Sequence, residues 1–454
     1  MSVEERLNQA LEATEEEGIP MPTGYDRSTR SRETLKNRHN THINEFLGSS
    51  NIVNVAVILP HYYSCLLTFA VHRYMETQGF NIIRTLGYRF PEATYTQVNF
   101  GNRKSQNLLK SGIHFIAKNE TRFIVTVDVS VRPYSSVVIS GSASYKDKVT
   151  EFANGVTTTA KTENYLKGAK LEFGDRIEFL NLADRNWGEL VLEPGIRKEI
   201  FDNTLGYFDN SERLIGRLGL HSKRGLLLVG QPGVGKTLII KALINEAKGV
   251  TCLLAHAYSL DEHEYICDLY RLAQDLSPTI VVIEDVDMIA QDRVEFGYSR
   301  GPALLSLLAV LDGIQEQKQV ITVGTTNNFE KMDAAMVNRP GRFDVIIKIP
   351  LPLLEERKQL VELVSERIPI QAADKEYISR KAEGCSPAQI KEIIHRIAIS
   401  HCARTTEEQQ PINVTAEEID SIISKINGKN GHRLGFCTSN GNNGRGASLS
   451  VNIQ

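Results

Sequence analysis

The stretch Gly230-Gln231-Pro232-Gly233-Val234-Gly235-Lys236-Thr237 follows an apolar run, 226–229, and precedes a helix-compatible segment, 238–246. A strand, a glycine-rich loop of the form GxxxxGKT and a helix, in that order, make the context of a phosphate-binding loop. The residue types follow from the chemistry. Phosphate oxygens must come close to backbone N–H groups, and glycine leaves them room. The loop opens on a helix N-terminus, whose N–H groups and dipole favour anions. Lys236 can reach the β- and γ-phosphates of a nucleotide, and the Thr237 hydroxyl can ligate Mg2+. The expected nucleotide-binding residues are therefore Gly230, Gln231, Pro232, Gly233, Val234, Gly235, Lys236 and Thr237.

Such a loop predicts binding; hydrolysis needs acids at the end of a neighbouring strand. The run Thr279-Ile280-Val281-Val282-Ile283 leads into Glu284-Asp285-Val286-Asp287. A buried strand would carry Glu284 and Asp285 to the C-terminal edge of a sheet, beside the phosphate loop. One carboxylate is expected to hold the Mg2+ shell, assigned to Glu284. The other, Asp285, is expected to orient and polarise the attacking water.

Outward from this centre, the apolar runs 226–229, 251–255, 279–283, 320–325 and 345–349 alternate with helix-length segments. That alternation predicts a parallel sheet with helices on both faces over 187–352. Residues 353–428 read as helical, over 355–367, 375–383, 387–402 and 416–426. Ser386 is placed as N-cap and Pro387 in the first turn. The tail 429–454 is rich in Gly, Asn and Ser and is expected to be disordered.

Residues 1–47 are charged and poor in large apolar groups, as in a mobile tail. Residues 48–185 read as a separate α+β domain for a client or for regulation. Strands are expected there over 81–84, 113–117, 122–131 and 136–142, with a hairpin over 168–180. The apolar span 52–71 has the length of a membrane helix, but Pro60 breaks it. It is read as a strand over 52–59 and a helix over 61–78, closed by Gly79. His39, His42, His61 and His72 lack metal-ligand spacing.

With 454 residues the chain can hold two or three domains, and 41% hydrophobic with 24% charged residues is ordinary for a globular protein. A net charge of −3 supplies no basic field for nucleic acid. The six cysteines form no CxxC pair, which argues against a zinc ribbon and fits a reducing compartment, so a cytoplasmic location is expected. The polar, acidic N-terminus does not read as a signal peptide.

Two further runs complete the pattern: Thr325-Thr326-Asn327 ends an apolar strand, and Asn338-Arg339-Pro340-Gly341-Arg342-Phe343-Asp344 follows. With the phosphate loop and the acid pair in this order, the region 187–428 resembles an AAA ATPase, of the AAA clade within the AAA+ superfamily. The resemblance implies ATP as the nucleotide, with Mg2+, and a P-loop NTPase fold with a small helical lid. It implies that Asn327 contacts the γ-phosphate and the lytic water. It also implies that Arg339 and Arg342 act on ATP held by the neighbouring subunit of a ring, usually a hexamer. A planar guanidinium donated in trans can stabilise charge on the transferring phosphoryl group. The run Gly384-Cys385-Ser386-Pro387-Ala388 matches the small-residue segment that opens a lid helix near the adenine, and Gly384 is its candidate binding residue.

Two departures from the family's pattern stand out. The acid pair reads Glu-Asp where most members have Asp-Glu, which moves each carboxylate by roughly 1.5 Å. The branch of Rieske-protein translocases is similar in this order. Substrate-threading members carry an aromatic-hydrophobic-Gly loop, whereas residues 257–265 read Ala-Tyr-Ser-Leu-Asp-Glu-His-Glu-Tyr, acidic and without glycine. The expected function is an ATP-hydrolysing ring that remodels or disassembles a protein client, without nucleic acid or membrane as partner. The alternatives are an ATP-gated switch with little turnover and a DNA-linked ATPase.

Overall fold

The computed structural model describes residues 40–100, 105–130, 134–174, 176–182, 187–210, 217–218, 223–260, 263–290, 301–313, 319–337, 339, 341–402, 412 and 414–429. Residues 1–39 of the expected mobile tail 1–47 and residues 430–454 of the expected disordered tail 429–454 lie outside them, whereas residues 40–47 are helical, because Ile43, Phe46 and Leu47 pack on the buried Ile113, Phe115 and Ile124.

Two sheets organise the larger of two compact units, which holds the described residues of 1–187, 194–230 and 236–348. The first sheet is antiparallel: β1 (Ile52–Pro60), β6 (Tyr134–Ser142), β5 (Thr121–Asp128), β4 (Ser105–Lys118) and β2 (Asn81–Leu86) lie side by side, and β3 (Thr94–Asn99) also pairs with β4. Helices α1 (Ser64–Gln78) and α2 (Lys146–Thr162) bury Leu67, Ala70, Val71, Phe152 and Val156 in the same core as the sheet. The span 52–71 is thus strand, a short 3-10 turn over His61–Tyr63, and the start of α1. Gly79 closes α1 in the left-handed conformation at φ 72°, where only glycine is unstrained. No described helix is long and apolar enough to cross a membrane.

The second sheet has seven strands in the order β13 (Val345–Lys348), β9 (Lys223–Val229), β12 (Val320–Thr326), β11 (Thr279–Glu284), β10 (Thr251–His256), β7 (Lys170–Phe173) and β8 (Ile177–Phe179). All neighbours run parallel except the β7–β8 hairpin. Every residue of β11 and β12 is buried, which explains their lack of polar alternation: both faces of a parallel sheet are covered. β7 pairs with β10, so residues 170–179 extend the nucleotide sheet although the sequence groups them with the N-terminal domain. The reason is burial. Leu171 and Phe173 are 0% and 3% exposed in a core continuous with Leu253 and Val281.

β9 lies between β13 and β12, and the chain that carries the arginine run crosses it closely. A Cβ on Gly225 would stand 1.5 Å from the Arg342 carbonyl oxygen and 3.0 Å from the Phe343 Cα, both backbone atoms that cannot swing aside. Gly225→Ala should therefore destabilise the protein by roughly 3 kcal/mol, read as a lower denaturant midpoint. An unchanged midpoint would contradict this close approach.

The second unit comprises 188–193, 231–235 and the described residues from 349 onward. Its helices are α7 (Leu354–Val364), α8 (Ala372–Lys381), α9 (Pro387–Cys402) and α10 (Ala416–Lys429). They share a core of Leu360, Val361, Ile378, Ile390, Ile394 and Ile419. At the start of α9 the Ser386 N–H donates to Gln389 Oε1 at 2.7 Å and the Gln389 N–H to Ser386 Oγ at 3.4 Å, a reciprocal cap.

Candidate nucleotide site

Strand order decides which side chains meet. β12 separates β9 from β11, so the C-terminal ends of three adjacent parallel strands deliver Gly230, Glu284-Asp285 and Asn327 to one sheet edge. The Gly230 N–H donates to the Thr326 carbonyl at 3.3 Å, which ties the exit of β9 to the end of β12.

Lys236, the first residue of α4 (Lys236–Glu246), is 7% exposed. Its Nζ donates to the Gly230 carbonyl and to Asn327 Oδ1, both at 2.6 Å. Asn327 Nδ2 in turn donates to Asp285 Oδ1 at 3.0 Å. The cation, the amide and the carboxylate form one hydrogen-bonded chain across three strand ends. Burial lowers the Lys236 pKa, while Asp285 and then Asp287 oppose that shift. Thr237, the next residue of α4, is exposed.

Asp285 carries positive φ, 53°, a conformation that costs a non-glycine residue about 1–3 kcal/mol. Two contacts hold it there. The Asp285 N–H donates to Thr325 Oγ1 at 3.1 Å and the Val286 N–H to the Thr325 carbonyl at 2.9 Å. Thr325 thus fixes the turn that aims the acid. Asn328 Nδ2 donates to Asp287 Oδ2 at 3.0 Å, pinning the third acid of the run.

Glu284 is buried at the end of β11. His256 stands opposite it in the β10–β11 register, with Nδ1 3.5 Å from Glu284 Oε2 and Nε2 3.8 Å from Glu172 Oε1. The other oxygen, Glu284 Oε1, is buried with no hydrogen-bond partner among the described residues, as is Asp287 Oδ1. Buried, unpaired carboxylate oxygens are costly, and a divalent cation relieves that cost. These two oxygens and the Thr237 hydroxyl are hard donors of the type Mg2+ takes, so the residues fit the ion.

Within the helical unit, the tip of the phosphate loop rests on the start of α9. The Ala388 N–H donates to the Gly233 carbonyl at 3.2 Å. Gly233 has φ 82°, and a Cβ on it would come within 2.9 Å of both the Ala388 Cβ and Ser386 Oγ. That glycine is therefore required twice, for conformation and for space. Gly235 and Gly384 also have positive φ, 103° and 75°. The small residues of 384–388 are explained by this close approach as much as by any ligand.

The two arginines differ. Arg342 is 5% exposed and forks onto one carboxylate, Nε to Asp312 Oδ1 at 3.0 Å and Nη2 to Asp312 Oδ2 at 2.9 Å, while Nη1 donates to the Ala335 carbonyl. Arg339 is 65% exposed, with Nη1 3.4 Å from Asp312 Oδ2. Asp312, near the end of α6 (Pro302–Gly313), gathers both. Of the adjoining positions in this run, Asn338 and Pro340 lie outside the described residues. Residues 257–259 form a 3-10 turn in which the exposed Tyr258 ring stacks on His256, centroids 5.3 Å apart. Asp261 and Glu262 lie outside the described residues.

Sequence reading missed His256, Thr325 and Asp312. No motif marks them; His256 and Thr325 emerge once strand register is known, and Asp312 once α6 is placed.

Residues 226–351 match the family described as "ATPase family associated with various cellular activities (AAA)". The matched span includes the phosphate loop, the acid pair, Asn327 and the arginine run. The chain carries an AAA ATPase domain.

The relatives agree. The chain is 33% identical over 213 residues to a proteasome-activating nucleotidase of Aeropyrum pernix, covering 45% of this chain and 51% of that one. It is 32% identical over 217 residues to a cell division cycle protein 48 homolog of Archaeoglobus fulgidus, 46% of this chain and 29% of that one. It is 31% identical over 277 residues to an ATP-dependent zinc metalloprotease FtsH of Karelsulcia muelleri, 57% of this chain and 41% of that one. The chain thus spans about half the length, or less, of these curated relatives.

Proposed function

We propose that this AAA domain hydrolyses ATP in a homo-oligomeric ring, a hexamer, and uses the energy to remodel or disassemble a protein client. The observation that carries the reading is the hydrogen-bonded chain Lys236–Asn327–Asp285 beside the buried, partly unpaired Glu284. The loop from Gly233 to Gly235 supplies backbone N–H groups to the phosphates, and Lys236 neutralises charge on the β- and γ-phosphates. Thr237 and Glu284 would hold Mg2+, which when bound spreads the phosphate charge. Asp285 accepts a proton from water as its oxygen bonds to the γ-phosphorus and the β–γ bridging bond breaks, releasing ADP. Asn327 orients that water against the γ-phosphate. Arg339, exposed at the surface, reaches the ATP of the neighbouring subunit. Arg342 shares that role or, held by Asp312, shapes the turn that presents Arg339. Gly384 lies in the segment assigned to the adenine.

The names of the relatives support a client that is a protein, since two of them are tied to the proteasome and to proteolysis. A cytoplasmic location is part of the same reading and is supported by the scattered cysteines without a CxxC pair. So is the exclusion of nucleic acid and membrane as partners, which rests on the net charge of −3 and the lack of a described spanning helix. Likeness to the Rieske-protein translocases rests on the Glu284-Asp285 order alone.

That order also favours one second reading, an ATP-gated switch, because Asp285 is shorter by a methylene than the glutamate most members place there. Steady-state phosphate release with Mg2+ and ATP separates the two. Turnover above that of Lys236→Ala supports the enzyme; tight ATP binding without turnover supports the switch.

A further inference from the structure

Away from the nucleotide site, the larger unit encloses a cavity of about 480 Å3. It is walled by the start of α1, by β3, β4 and the end of β5, by Tyr165, and by the β8 hairpin that belongs to the nucleotide sheet. This is the volume of a small-molecule site. Its lining includes two cationic side chains. Lys110, half-buried, and Arg176 both line it, and neither makes an ion pair or a side-chain hydrogen bond with any described residue. The nearby carboxylate that could neutralise them is already committed: Asp128 takes Arg89 Nε at 2.6 Å and the Ser130 hydroxyl at 2.6 Å. Glu178 is the one acid in the lining, so two unpaired cations face one exposed carboxylate.

The lining also holds aromatic and apolar groups. Tyr165 stacks on Phe179, with centroids 6.2 Å apart, and Leu66, Val129 and Ile177 fill in around them. None of the described residues gives the Tyr165 hydroxyl a hydrogen-bond partner, and burial pushes its pKa far up, so it stays a neutral donor. Cys65 also lines the cavity. Burial raises its thiol pKa, against a pull from the Ser64 hydroxyl and from Arg176 and Lys110.

We propose that this cavity binds a small organic anion, its carboxylate or phosphate group taken by Lys110 and Arg176 and its apolar or aromatic body laid against Tyr165 and Phe179. Two cations left without partners in a concave, part-apolar site are what such a ligand needs, whereas a structural role would have paired them. Because its walls come from both sheets, occupancy would stiffen the junction between the N-terminal sheet and the nucleotide sheet. The proposal does not depend on ATP hydrolysis.

Cys65 provides a local readout. In the full chain, N-ethylmaleimide labelling of Cys65 is followed by peptide mass spectrometry with benzoate, phenyl phosphate or neutral benzyl alcohol present. At about ten times its dissociation constant the preferred anion should slow Cys65 labelling roughly tenfold. Benzyl alcohol should not, and the better of the two anions identifies the headgroup. The protection should persist in Lys110→Arg and vanish in Lys110→Met and in Arg176→Gln, each at an accessible side chain. Equal protection by the neutral alcohol, protection that survives both neutralising variants, or none with either anion up to the millimolar range overturns the proposal. The comparison of charged and neutral probes on the unaltered chain decides even if a variant fails to fold.

Discussion

Lys236→Ala should lose nucleotide binding while keeping its fold. The Lys236 ammonium is 7% exposed at the mouth of the phosphate loop and already spans from the Gly230 carbonyl to Asn327. In the proposed site the same group would face the β- and γ-phosphates of a bound nucleotide, the highest negative charge there. A hydrogen bond to a charged group in such surroundings contributes about 3 kcal/mol, roughly a hundredfold in affinity. Equilibrium titration with a fluorescent ATP analogue reads this directly. The backbone N–H groups of the loop remain, so weak residual binding is expected. Affinity near that of the unaltered chain would refute the assignment of the loop.

Arg339→Ala should bind ATP normally and hydrolyse it roughly a thousandfold more slowly, since a trans guanidinium acts on the transition state and not on the ground state. The structure gives this variant a sharper meaning than the motif does. Arg339 is largely exposed and loosely paired, so its removal leaves the interior untouched. Arg342 is the opposite case: its guanidinium is buried, and removing it empties that space and takes away the fork on Asp312 and the bond to the Ala335 carbonyl. Arg342→Ala should therefore lower stability as well as turnover, and it tests catalysis less cleanly. Mixing Arg339→Ala with Lys236→Ala subunits reads the geometry. A boundary that joins an intact phosphate loop to an intact Arg339 from its neighbour should recover activity that neither variant has alone. If exchange of subunits is demonstrated and no activity returns, Arg339 does not act across a boundary between otherwise independent sites.

Much of the nucleotide sheet was legible because a buried parallel strand has no alternative to an apolar run. β11 and β12 are buried at every position, and the runs 279–283 and 320–325 show it directly. The acids and Asn327 were legible for the same reason, since they end those runs. In the N-terminal sheet the same reading worked for β1, where Pro60 ends the strand before α1. It failed for α2. Val149, Phe152, Ala153, Val156 and Ala160 recur at helical spacing and are all buried, but Thr157-Thr158-Thr159 interrupts them with β-branched residues of low helix propensity. The tertiary packing of the buried face outweighs that local preference.

What sequence could not supply is contact between distant segments. β7 is four residues long, and nothing local distinguishes a hairpin at the end of the N-terminal region from an extension of the next sheet. Its place beside β10 comes from the burial of Leu171 and Phe173. Arg339 and Arg342 are equivalent in the motif, yet one is exposed and the other buried, although both reach Asp312 on another helix. The strained φ of Asp285 is likewise invisible until Thr325 is seen holding the turn from the neighbouring strand.

The central claim is that Asp285 drives water onto bound ATP, and the chemical state of the bound nucleotide tests it most directly. Asp285→Asn keeps the shape and the Asn327 contact but loses the charge that accepts the proton, so hydrolysis should fall at least about a hundredfold. After incubation with ATP and Mg2+ and rapid removal of free nucleotide, the unaltered chain should carry ADP and Asp285→Asn should carry ATP. ADP formed at the ordinary rate by Asp285→Asn, or intact ATP retained by the unaltered chain, would contradict the account.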